Sequence, residues 1–132
     1  MISILFSIRQ WLRITLSLIY LCCIAILSLL PSKDFPELPL FPGADKLVHT
    51  VMYLGLALLV CWSMHAEVKH KWYGLVTIFA ILWGVLMEFF QLNMHLGRSF
   101  DFFDILANSL GAIIGVAIYS LLARAKPRLD AL

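Results

Sequence analysis

Residues 88–115 read E-F-F-Q-L-N-M-H-L-G-R-S-F-D-F-F-D-I-L-A-N-S-L-G-A-I-I-G. Two apolar segments meet there through a short turn crowded with polar groups. Glu88 and Gln91 close the first segment. Arg98, Asp101 and Asp104 lie in or beside the turn, and Asn108 lies one helical turn inside the second segment. Ionisable and amide side chains are costly in a membrane helix, so this stretch marks a candidate site.

The rest of the chain fits that frame. Of 132 residues, 62% are hydrophobic and 14% charged, against about 45–50% and about 25% in soluble domains. Four apolar runs make the difference, each of about 17–20 residues and so long enough to cross roughly 30 Å of hydrocarbon. The sequence therefore predicts an all-α, polytopic membrane protein: one domain over residues 1–132, with helices near 12–30, 46–64, 72–92 and 103–123. The net charge of +2 is dispersed, and no basic patch interleaves with aromatics, so nucleic-acid binding is excluded. Cys22 and Cys23 fall mid-span and Cys61 in the second run; all three read as small packing residues.

The first run, Ile14 to Leu30, follows Arg9, Trp11 and Arg13. It is long for a signal-peptide core and lacks a small-x-small cleavage site, so it reads as an uncleaved membrane helix. Four of the five prolines then occupy the loop to Asp45, which favours extended backbone along the membrane surface. Asp45 is expected as the N-cap of the second helix, with His49 and Tyr53 following on its face. Glu88 is placed about 6 Å from the end of the third helix at about 1.5 Å per residue, with Gln91 on the same face. Asp101-x-x-Asp104 resembles a capping box with a carboxylate at each end. Gly111-x-x-x-Gly115 allows close helix approach, within the bundle or in a homo-oligomer.

Lys and Arg concentrate on one side of the membrane. Arg9, Arg13, Lys69, Lys71, Arg124, Lys126 and Arg128 face Lys33, Lys46 and Arg98 on the other. The positive-inside rule then puts both termini in the cytoplasm. Asp45, His49, Glu88, Gln91, Arg98, Asp101, Asp104 and Asn108 all fall at the outer-leaflet end. Scattered polar residues would occupy both ends; these converge on one.

At these residues the chain resembles the VanZ-like family of small bacterial membrane proteins. The matching pieces are Asp45-Lys46-x-x-His49, Glu88-x-x-Gln91 and Arg98-x-x-Asp101-x-x-Asp104-x-x-x-Asn108-x-x-Gly111-x-x-x-Gly115. The resemblance implies a multi-pass bacterial inner-membrane protein with no assigned reaction. It also implies a link to glycopeptide antibiotic resistance, since the founding member is associated with reduced susceptibility to teicoplanin.

Several readings of the cluster compete. As a binding site, Lys46, His49, Glu88, Gln91, Arg98, Asp101, Asp104 and Asn108 recognise an anionic lipid or cell-envelope precursor, with arginine suited to phosphate or carboxylate. This reading is preferred, and an enzyme is the less favoured alternative. In that alternative, Glu88 and His49 act as acid and base on a lipid-linked substrate, though no serine or cysteine nucleophile sits beside them. A metal reading using His49, Glu88, Asp101 and Asp104 has no linear ligand motif behind it, so no metal or other cofactor is expected. The remaining reading is a polar network that only holds three helices together.

Overall fold

The computed structural model describes residues 7–30, 41, 43–64, 70–94 and 100–129, apart from the side chains of residues 70 and 126–129. The proline-rich loop, His65, Lys69, His95 and Arg98 lie outside the described residues, as does Lys33. Among the described residues the chain forms four helices and no strand: α1 (Gln10–Leu29), α2 (Ala44–Ser63), α3 (His70–Met94) and α4 (Phe102–Leu129). All four are long and apolar enough to cross a membrane, which makes this a multi-pass membrane protein.

The helices alternate in direction. Arg13 and Ser17 of α1 meet Trp62 and Leu59 at the far end of α2, so these two run antiparallel. Asn108, Gly111 and Gly115 of α4 meet His49, Thr50 and Leu54 in ascending order, so α2 and α4 run parallel. Small residues allow this contact: a Cβ at Gly111 would collide with the Thr50 carbonyl oxygen, and one at Gly115 would lie 2.5 Å from the Leu54 carbonyl oxygen. Both glycines are therefore used inside the bundle. Ala57, Ala80 and Ala112 continue the close-packed seam with Leu56 and Tyr53.

Every helix carries exposed large apolar side chains on its outward face, a surface suited to lipid. Cys22 and Cys23 are on that face, whereas Cys61 packs inside with Val76 and Tyr119. Two element ends differ from expectation. Gly43, at φ +85°, precedes α2 in the left-handed conformation, so the helix starts before Asp45, which lies in its first turn without capping it. The α4 helix continues to Leu129, beyond the membrane-length stretch that ends at Ala125.

Candidate functional site

Glu88 lies six residues before the end of α3 and Asn108 six after the start of α4, about 9 Å inside each at about 1.5 Å per residue. His49 lies five residues into α2, about 7–8 Å by the same rise. Three helices thus deliver polar side chains to one depth. Glu88 is 1% exposed and Asn108 2%; the His49 and Asp104 side chains are 12% and 14% exposed.

The bonding is reciprocal across helices. His49 Nδ1 lies 3.0 Å from Asn108 Oδ1. That oxygen only accepts, so Nδ1–H donates to it, and Nε2 is the ring nitrogen turned toward the remaining groups. Nε2 lies 3.6 Å from Asp104 Oδ2. The other Asp104 oxygen, Oδ1, lies 2.6 Å from Lys46 Nζ. The Asp101 backbone N–H donates to Glu88 Oε2 at 3.0 Å. One ligand-type atom from each of His49, Glu88 and Asp104 lies within 4.8 Å of the other two.

Lys46 is not a free cation. Its ammonium pairs with Asp45 Oδ2 at 2.9 Å, with Asp104 Oδ1, and with Asp101 Oδ2. Among the described residues, three carboxylates around one ammonium leave this corner acidic. The Lys46 ammonium, then the Phe103 N–H, hold the Asp101 carboxyl below the usual carboxylate range.

Capping explains only half of the Asp101/Asp104 pair. Asp101 Oδ1 accepts from the Phe103 N–H at 2.8 Å, as an N-cap does. The reciprocal half of a capping box is missing, because the Asp101 N–H goes to Glu88 and the Asp104 carboxylate turns to Lys46 and His49. Gln91 also leaves the expected group. Its Nε2 donates to the Ser28 carbonyl at 2.8 Å, tying α3 to the end of α1. Arg98 lies outside the described residues. Lys46, His49, Glu88, Asp101, Asp104 and Asn108 are the residues brought together.

Tyr53 was legible but left out. It shares the Asp45–His49 face, is 1% exposed, and its hydroxyl has no hydrogen-bond partner among the described residues. Its ring edge packs against Gly84, where a Cβ would lie 3.3 Å from Tyr53 Cε1. Gly84 is one turn from Glu88. The signal was the i, i+4 spacing from His49, which puts an amphipathic ring directly beneath an ionisable group.

A family model described as VanZ/LLP1 matches residues 14–123, from the first turn of α1 into α4. No curated protein and no solved structure matches the chain. The chain belongs to the VanZ/LLP1 family.

Proposed function

We propose that this VanZ/LLP1 protein sits in a bacterial inner membrane with both termini cytoplasmic. In that orientation the cluster recognises the polar head of an anionic lipid or lipid-linked envelope component in the outer leaflet. The observation that carries the reading is the convergence of Lys46, His49, Glu88, Asp101, Asp104 and Asn108 from three helices. A purely structural network buries its polar atoms against one another. Here Lys46 and Asp101 stay about one-third exposed while Glu88 and Asn108 are buried, so charged groups of the cluster remain reachable from outside. Capture of such a component is also a route by which the protein would alter glycopeptide susceptibility.

The acidic surroundings of Lys46 make the sequence-based version of this reading too simple. An anionic head does not approach four carboxylates and one ammonium without further positive charge. A second reading, a membrane-embedded acid–base enzyme, is favoured by one observation: His49 Nε2 faces the Asp104 carboxylate, with the buried Glu88 carboxyl beside it.

Mass spectrometry of lipids copurifying with the full chain tests the proposal. An anionic or pyrophosphate-linked lipid enriched over the bulk membrane, and lost in Asp104→Asn and Asn108→Ala, is the expected result; bulk composition in all preparations would overturn it. Glu88→Gln tests the second reading: an enzyme that uses Glu88 as acid or base loses turnover on that change, whereas a binder has no turnover to lose. A periplasm-active reporter fused after Gly97 should be active and one at the C-terminus silent. The reverse pattern would place the cluster on the cytoplasmic side.

A further inference from the structure

Each of His49, Glu88 and Asp104 is held from behind by a different partner. Asn108 accepts from His49 Nδ1, the Asp101 amide holds Glu88 Oε2, and Lys46 holds Asp104 Oδ1. That leaves His49 Nε2 and Asp104 Oδ2 turned toward each other, with Glu88 beside them. Outer partners that fix the tautomer of an imidazole and the rotation of carboxylates are the usual surroundings of metal ligands.

The spacing points the same way. At 3.6 Å the imidazole and carboxylate are too far apart for a good hydrogen bond. Two ligand atoms on a tetrahedral ion with bonds of about 2.0–2.1 Å lie about 3.3 Å apart. Three atoms mutually within 4.8 Å share a central point no more than about 2.8 Å from each. Shifts of well under an ångström bring that to the bond lengths of about 2.0–2.6 Å typical of divalent cations.

Charge supplies a third argument, and Tyr53 an independent one. The buried Glu88 and the partly buried Asp104 beside an imidazole, inside membrane helices, call for positive charge, and among the described residues Lys46 alone brings it, to Asp104. The Tyr53 hydroxyl is buried one turn below His49, without a partner among the described residues. Side chains on a helix lean toward its N-terminus, so the phenol of Tyr53 leans toward the cluster. A donor placed there suits an oxygen bound on an ion.

Building on the headgroup reading above, we infer that His49 Nε2, Glu88 and Asp104 bind a divalent first-row transition ion such as Zn²⁺, which offers an open position to a phosphate or carboxylate oxygen of the captured head. The imidazole favours such an ion over Mg²⁺ or Ca²⁺. Three protein ligands leave a coordination position for an outside oxygen. The ion supplies the positive charge that an anionic head needs at an otherwise acidic corner. Ligands spread over three helices explain why no linear metal motif is present.

The test uses the full chain in nanodiscs, stripped with chelator and titrated with Zn²⁺ against a chromophoric competitor. The expected result is one equivalent bound, weakened about 100-fold or more by His49→Ala, Asp104→Asn and Glu88→Gln. Asn108→Ala should weaken it about 10–100-fold, the effect of losing an outer partner. Thr77→Ala, whose hydroxyl bonds within α3, should bind as the parent does. Absence of stoichiometric uptake, or equal affinity in parent and His49→Ala, overturns the site. If the variants fail to fold, X-ray absorption on the Zn²⁺-loaded parent decides: a sphere with one imidazole and oxygen ligands supports the site, and one without imidazole overturns it. Retention of phosphatidylglycerol in the same nanodiscs separates this inference from the reading beneath it. Zn²⁺ uptake without headgroup retention leaves the ion site standing and overturns the headgroup reading. Retention without Zn²⁺ uptake, undiminished by EDTA, does the reverse.

Discussion

At the Arg13 end of the bundle, polar side chains donate to backbone carbonyls; at the Glu88 end, Gln91 apart, they face one another. Arg13 Nη1 bonds the Trp62 carbonyl at 2.8 Å and its guanidinium lies 5.9 Å from the Trp62 ring centroid. Ser17 bonds the Leu59 carbonyl at 2.9 Å, and Tyr20 bonds the Met52 carbonyl at 3.2 Å. Those contacts satisfy helix carbonyls and lock α1 to α2. The Glu88 end instead brings together side chains able to give or take protons, charge or a ligand. Buried polarity alone thus does not identify a site in a membrane bundle; what the polar atoms are aimed at does.

The largest expected effect removes the seam on which both ends depend. Gly111→Leu drives a branched side chain into the Thr50 carbonyl and should cost about 3 kcal/mol, the upper range for overpacking. Thermal unfolding in detergent reads it. An unchanged midpoint would mean that α2 and α4 do not pack through this glycine, and the common depth of His49 and Asn108 would lose its cause.

Next, Arg13→Ala should lower stability by about 2 kcal/mol, the scale of a lost charge-assisted hydrogen bond. It should leave Zn²⁺ and lipid retention unchanged per folded molecule. Glu88→Gln should do the opposite, costing about 1 kcal/mol or less because the amide still accepts from Asp101, while retention of Zn²⁺ falls sharply. If both variants lose stability and retention in proportion, the contrast between the ends is broken and the Glu88 cluster is a structural lock as well.

Much of this was legible in the sequence. Run lengths gave the four helices, and the loop charges aligned the polar residues at one end. The common depth of His49, Glu88 and Asn108 followed from counting residues from helix ends. Rotation of each side chain about its helix was not readable. Gln91, three residues from Glu88, lies on an adjoining part of α3 yet reaches the Ser28 carbonyl, because α1 packs there and a lone sequence does not say which neighbour covers which side. Arg13 counted as a flanking charge, although it is 6% exposed; its long stem allows it to cap another helix. The threefold pairing of Lys46 was hidden for the same reason, since Asp101 and Asp104 reach it from a helix 55 residues away in the chain.

Gln91→Ala should have a smaller effect, about 1 kcal/mol, the typical value of a buried neutral hydrogen bond. It should not change Zn²⁺ retention, because its amide is turned toward α1. A loss of retention without loss of stability would extend the site toward Ser28.

The smallest effect is expected from Tyr53→Phe, and it is the sharpest test of what the Glu88 end is for. The change removes one oxygen and keeps the ring against Gly84. An unpaired buried hydroxyl carries a desolvation penalty with no hydrogen bond to offset it. If the cluster only holds helices together, deleting that oxygen should raise stability by a few tenths of a kcal/mol to about 1 kcal/mol and change nothing else. If the hydroxyl donates to an oxygen bound in the cluster, apo stability still rises, but lipid retention in the Zn²⁺-loaded protein falls several-fold. Parallel thermal unfolding with and without Zn²⁺ and phosphatidylglycerol separates the outcomes. A gain in stability that persists undiminished with both ligands present would show that Tyr53 takes no part in the site, and would reduce it to the groups that Lys46, Asn108 and the Asp101 amide hold in place.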